Sequence, residues 1–226
     1  MEKVSTSLIL VLLAIAFAVL MAVAVYKKWR GAQLVAKPAV MACLFAALYL
    51  ATGLRGAAFW FGVGALFSLA GDMCLLWRER MFVFGLAAFL VAYSAYVIGF
   101  NSPPAPLSLW SLLLALVLGI GAARVLRRLI AGAHASGQSK LALPVTVFGM
   151  VITLMMLSAL LTLSNMKWGA LESVCVAAGA FLIYLSDIML AWDKFVRPIA
   201  NGRLINISLY QTGQVLLMAG VVMQFG

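Results

Sequence analysis

Charge is scarce in this chain. Only 10% of its 226 residues are Asp, Glu, Lys or Arg, whereas soluble domains carry about 25%. Six residues are acidic, and the longest polar stretches are short loops, so no segment reads as a soluble domain. Cysteine is sparse too. Cys43, Cys74 and Cys175 are scattered through apolar runs, which excludes a disulfide framework and a Cys-x-x-Cys metal site. The single histidine, His134, falls in a polar stretch read as a loop. A histidine metal centre is thereby excluded, and six dispersed acids give little for a carboxylate one. Neither a metal nor an organic cofactor is expected.

The net charge of +10 raises the question of nucleic acid. The basic residues, however, sit in alternate segments between apolar runs. No basic patch interleaved with aromatics is present, and no nucleic-acid partner is expected.

What is abundant is hydrocarbon: 66% of the residues are hydrophobic. They gather into eight runs, each near the ~20 residues a helix needs to cross a bilayer. The runs are Ser5–Tyr26, Val35–Thr52, Ala57–Trp77, Met81–Phe100, Leu107–Leu126, Leu141–Leu163, Gly169–Trp192 and Leu204–Gln224. Their length and unbroken apolarity mean helix, because barrel strands are shorter and alternate. The reading is an all-α, polytopic transmembrane bundle of about eight spans, one integral membrane domain over residues 1–226. Ala22-Val23-Ala24 resembles a signal-peptide cleavage site. The run before it is long, though, and Lys27, Lys28 and Arg30 follow it while Lys3 alone precedes it. Those flanks favour an uncleaved span.

Loop charges set the orientation. Lys27, Lys28, Arg30 and Lys37 follow span one, Arg78 and Arg80 follow span three, Arg124, Arg127, Arg128 and Lys140 follow span five, and Lys194, Arg197 and Arg203 follow span seven. The opposite side holds Lys3, Arg55 and Lys167. The positive-inside rule then puts the basic loops in the cytoplasm and both termini outside it, in a bacterial inner membrane.

An internal echo accompanies this pattern. Asp72-Met-Cys-Leu75-Leu-Trp77 and Asp187-Ile-Met-Leu190-Ala-Trp192 are both Asp-x-x-Leu-x-Trp at the end of a span. Phe82 and Phe195 follow, and the spans before them open with Lys37-Pro38 and with Pro144 after Lys140. The echo suggests two parallel four-helix halves. Spans three and seven run the same way, so both acids lie at one depth. A helix rises about 1.5 Å per residue, which sets the carboxyls roughly 7–8 Å inside the boundary marked by Trp77 and Trp192.

Glu2, Glu79 and Asp193 lie at the N-terminus or in loops, and Glu172 lies near the outer end of span seven. Asp72 and Asp187 alone sit well inside the apolar runs, where an acid costs about 2.5–3.5 kcal/mol at a helix centre and less near the interface. Polar glue between helices is the structural explanation; a functional pair is the other. Ser68 and Tyr184 share a helix face with Asp72 and Asp187, respectively; Ser186 points elsewhere. Two neighbouring buried carboxyls can divide into one that holds its proton and one that is ionised, the division acid–base hydrolysis uses. Tyr49, Tyr93, Tyr96, Tyr210, Gln211 and Gln214 are the other polar groups in the spans, and Gln211 and Gln214 are spaced to line one cavity.

These residues resemble a known family. Phe67 to Leu75 with Gly71-Asp72, Gly85 to Phe89, Tyr96, Gly179 to Asp187 with Ser186-Asp187, Ala191 and Phe195 are similar, in order and spacing, to the YhhN-like lysoplasmalogenases. Lys37-Pro38 resembles that family's start of span two, Pro144-Val145 its start of span six, and Tyr210-x-x-x-Gln214 its last-span motif. The resemblance covers about Lys37 to Leu217. It implies an eight-span membrane hydrolase that cleaves the vinyl ether of a lysoplasmalogen to a fatty aldehyde and glycerophospho-ethanolamine or -choline. Two positions depart from the pattern: the family often has His where this chain has Tyr93, and Tyr where it has Phe148.

On that resemblance Asp72 and Asp187 are the expected acid–base pair, acting through an oxocarbenium ion as glycosidases do. Lys37, Ser68, Tyr93, Tyr184, Tyr210 and Gln214 are the expected substrate contacts, with Lys37 a candidate for the lysophospholipid phosphate. A small-solute or proton-coupled transporter would also keep two intramembrane acids and repeated halves.

Overall fold

The computed structural model describes residues 2–77, 81–102, 104 and 108–226, leaving aside the side chains of residues 2–5 and of Trp77. Among the described residues eight helices are long and apolar enough to span a membrane. They are α1 (Glu2–Tyr26), α2 (Arg30–Thr52), α3 (Ala57–Trp77), α4 (Phe82–Phe100), α5 (Leu109–Ala135), α6 (Ala142–Leu161), α7 (Ala170–Phe195) and α8 (Gly202–Phe225). The chain is a polytopic membrane bundle. The start of span five at Leu107, the basic residues Arg78 and Arg80, and the Trp77 anchor lie outside the described structure.

Two helix boundaries differ from the sequence reading, and both matter. The second helix begins at Arg30 rather than Val35. Polar Arg30 and Gln33 set the apolar run's start too late, because a helix continues through polar residues wherever they meet water or partners. Lys37 is therefore not a loop charge; it lies inside α2 and is only 7% exposed. The fifth helix runs on to Ala135 rather than stopping at Leu126, so Arg124, Arg127, Arg128 and His134 ride on its last turns. His134 accordingly sits on a helix, not in a loop.

The helices pair in sequence: α1 packs on α2, α3 on α4, α5 on α6 and α7 on α8. The α7–α8 contact brings backbone against backbone. A Cβ on Gly179 would lie 2.5 Å from Leu217 N and 2.6 Å from Gly213 O, so only glycine permits the approach. Without a hydrophobic drive between helices in lipid, small residues of this kind set how closely backbones pack. Between halves, α2 packs on α8 and α4 on α6, equivalent contacts if α1–α4 echo α5–α8. Asn101 at the end of α4 adds a hydrogen bond to Ser158 Oγ of α6 at 2.9 Å.

By contrast α5 lies at the edge, with Leu112, Leu116 and Val117 about 60% exposed or more. In water such a face would be a liability; in a bilayer it meets lipid tails. The core around Phe61, Tyr93, Tyr96 and Leu217 is closed, and Asp72, Ser68 and Gln214 are buried with it.

Candidate functional site

Three helices, α2, α3 and α8, build the first half of the site. Pro38 lies within α2, where it lacks the N–H that would bond Leu34 O and loosens the turn that carries Lys37. The Lys37 ammonium lies 2.9 Å from Asp72 Oδ1. Asp72, on α3, is 1% exposed. Its Oδ2 accepts a hydrogen bond from Tyr210 of α8 at 3.2 Å, and the Tyr210 ring centroid lies 5.9 Å from the same ammonium. Burying a charged pair is costly unless geometry and added hydrogen bonds compensate; here the phenol supplies the added bond. Asp72 Oδ1 has the ammonium as an ion-pair partner and no hydrogen bond.

The second half is built from α4, α6 and α7. Asp187, half-buried, accepts a hydrogen bond from the fully buried Tyr93 at 2.7 Å. No cation pairs with Asp187 among the described residues. Phe148 of α6 packs on the Tyr93 ring at 5.6 Å between centroids. The two positions that depart from the family pattern therefore touch, and one of them bonds an acid. Phe89 joins the halves: its ring stacks on Tyr93 at 5.9 Å and meets Tyr210 edge-on at 5.7 Å. Its side chain can lie there because Gly71, next to Asp72, leaves the space; a Cβ on Gly71 would come within 2.7 Å of the ring. The two carboxyls are within electrostatic reach of each other.

A third group closes the centre. Tyr96 donates to Gln214 Oε1 at 3.2 Å and lies 3.5 Å from Ser68 Oγ. Gln214 Nε2 is buried without a partner.

The arrangement is crossed. Asp72 of α3 takes its tyrosine from α8, and Asp187 of α7 takes its tyrosine from α4. If α3 and α4 echo α7 and α8, the two bonds are equivalents exchanged between halves. The cation breaks this symmetry. Lys37 precedes Pro38, whereas Leu143, 73% exposed, precedes Pro144. Asp72 thus has a cation in direct contact, and Asp187 has none among the described residues.

Seven of the residues singled out from sequence come together here: Lys37, Ser68, Asp72, Tyr93, Asp187, Tyr210 and Gln214. Tyr184 does not join them. It lies in an apolar groove of about 430 Å³ between α5, α6 and α7, with no hydrogen bond to Asp187. Gln211 also parts company with Gln214: it faces a groove between α1 and α8 beside Ala18 and Val215. Tyr49 is 54% exposed on the outer surface. Ser186 turns away from the acids to bond Asn206. Tyr96 belongs to the centre although sequence marked it only as a polar intramembrane residue and family-motif position; its i+3 spacing from Tyr93 was the available signal. Among the described residues no cluster of His, Cys, Asp and Glu could hold a metal.

Fold and centre together define a polytopic membrane protein with a buried acid pair at the junction of its halves. The chain belongs to the YhhN family, whose model matches residues 32–221. Human lysoplasmalogenase TMEM86B is 33% identical over 153 residues, 66% of this chain and 58% of the human protein, less than two thirds of its length. The mouse protein of the same name is 31% identical over 84% of this chain and 74% of its own. Human lysoplasmalogenase TMEM86A is 28% identical over 71% of this chain and 64% of its own. No solved structure matches the chain.

Proposed function

We infer that this chain is a lysoplasmalogenase-like hydrolase, cleaving the vinyl ether of a lysoplasmalogen. The observation that carries the reading is the unequal acid pair, Asp72 matched by Lys37 and Asp187 matched only by the Tyr93 hydroxyl. Membership of the YhhN family and the relatives' names support it.

Vinyl ether hydrolysis needs a proton on the carbon β to oxygen. Asp187, without a counter-ion and half-buried, is the donor in this reading. Tyr93 holds its Oδ2, which leaves Oδ1 to carry the proton. Protonation gives an oxocarbenium ion, and Asp72 supplies negative charge beside it, as carboxylates do in glycoside hydrolysis. Water adds to the cationic carbon and gives its proton to the Asp187 carboxylate. As the hemiacetal breaks its bond to the glycerol oxygen, that oxygen takes the Asp187 proton and the hemiacetal hydroxyl returns its own to the Asp187 carboxylate, releasing aldehyde and glycerophospho-ethanolamine or -choline. Gln214 Nε2, the open donor of the centre, suits the incoming water. These steps use the chain's own groups throughout.

The substrate is a membrane lipid with one chain. The apolar groove past Tyr184 and Ile188, which flank Asp187 on α7, suits that chain. Loop charge favours a cytoplasmic site in a bacterial inner membrane with both termini outside.

The test is purified protein in detergent with 1-alkenyl-lysophosphoethanolamine. Aldehyde should appear, and in deuterated water it should carry one deuterium at the carbon next to the carbonyl. In ¹⁸O-labelled water the released glycerol oxygen should stay unlabelled. Solute flux in liposomes with no bond cleavage would favour a transporter instead.

A further inference from the structure

We propose that the cavity where α2, α7 and α8 meet, with Lys194 and Arg203 on its walls and Lys37 at its floor, binds the zwitterionic phosphodiester headgroup of a lysophospholipid. The proposal rests on the hydrolase reading and adds to it the group that positions the substrate.

The cavity holds about 380 Å³, within the roughly 300–1,000 Å³ typical of small-molecule sites. Its floor is Lys37, whose ammonium touches Asp72. A headgroup seated there shares Lys37 with Asp72.

Its wall cations, Lys194 and Arg203, form no ion pair among the described residues. The Lys194 ammonium stands 4.5 Å from the Phe82 ring centroid. Arg203 donates at 2.7 Å to Gln33 Oε1, a neutral amide. Gln33 is 3% exposed and is itself fixed by donating to Ala24 O at 2.9 Å. The guanidinium is thus held in place by an uncharged partner and keeps its other donors for an anion. Lys37 with Asp72 is the ion pair present among the described residues. Two cations in a concave site with no ion-pair partner among the described residues suit a phosphate, and arginine binds one through paired N–H donors.

One acid shares the cavity, and its placement selects among anions. Asp193 accepts the Ile199 N–H at 2.6 Å through Oδ1, which fixes the carboxylate and leaves Oδ2 open. A phosphate at Lys194 and Arg203 and an amine at Asp193 together describe ethanolamine or choline phosphodiester. Inorganic phosphate would satisfy the cations alone. Arg203 also borders a second cationic cavity, lined by Lys28 and Arg30; that one reaches neither Lys37 nor the acids, and it provides the control.

The experiment compares two substrates in the full-length protein: 1-alkenyl-lysophosphoethanolamine and 1-alkenylglycerol, which keeps the vinyl ether and lacks the headgroup. Lys194→Gln/Arg203→Gln should lower the ratio of kcat/KM between them at least about tenfold, mostly through KM. Arg30→Gln should leave that ratio where it is. Glycerophosphoethanolamine should inhibit the wild type competitively, and inorganic phosphate at the same concentration should inhibit far less. Equal losses on both substrates, no loss, an equal effect of Arg30→Gln, or equal inhibition by inorganic phosphate would each overturn the headgroup site. If the wild type cleaves neither substrate, the hydrolase reading fails by itself. The site is then judged by binding of ester lysophosphoethanolamine, about tenfold weaker in the double variant if it stands and unchanged if it does not.

Discussion

Tyr93 reaches from α4 to α7 to place its hydroxyl 2.7 Å from Asp187 Oδ2, tying one acid of the pair to the opposite half of the bundle. Tyr210 does the same for Asp72 at 3.2 Å. Each acid's position therefore depends on a tyrosine from a helix distant in sequence.

The Tyr93 bond can be removed with little change of volume. A hydrogen bond to a charged group contributes about 1.5–3 kcal/mol, which corresponds to roughly 10–100-fold in rate if it acts in the transition state. Tyr93→Phe is expected to lower kcat of aldehyde release within that range while thermal unfolding in detergent shifts little. Tyr93→His, which restores a donor and the residue the family often carries, is expected to recover most of the rate. A Phe variant with full kcat would separate Tyr93 from the chemistry.

Lys37 and Asp72 should be interdependent. Removing one partner of a buried ion pair leaves an uncompensated charge and costs about 3–5 kcal/mol, whereas replacing both costs far less. Lys37→Met is therefore expected to unfold at a clearly lower temperature than the wild type, and Lys37→Met/Asp72→Asn to regain most of the loss. Equal melting of the single and double variants would mean that the pair contributes no coupling.

The α7–α8 approach offers a structural test. Gly179→Val would drive a side chain into the Leu217 and Gly213 backbone. The helices should separate, withdrawing Tyr210 from Asp72, at a cost of about 1–3 kcal/mol and with loss of activity. Gly121→Ala on α5, where an added Cβ meets nothing within 4 Å, should change neither. Melting and aldehyde release measured on the same preparations decide it.

The bundle was legible because membrane helices announce themselves by length and unbroken apolarity. The acids were legible because their burial is costly. What sequence did not reveal was which faces meet. Helices such as α3, α4 and α6 are apolar all round, so no stripe shows where Tyr93 or Tyr210 points. Lys37 was read as a topology-setting charge and phosphate contact, and its bond to Asp72 was missed. Counting from Arg30, it lies seven residues into α2, about 10 Å along the axis at 1.5 Å per residue, close to the depth estimated for Asp72. Hydropathy hid that coincidence by starting the span at Val35. Gln211 and Gln214 show the converse error: three residues apart, they face a groove and the centre, respectively, because about 60° of helical turn is enough to cross a boundary between neighbours.

The central claim is that Asp72 and Asp187 together cleave a vinyl ether, and the rate of aldehyde release from 1-alkenyl-lysophosphoethanolamine by purified wild type, Asp72→Asn and Asp187→Asn tests it most directly. The wild type is expected to release aldehyde, and each folded variant to do so at least about 100-fold more slowly, the scale of a positioned acid–base group. Wild-type rates in both variants would contradict the claim.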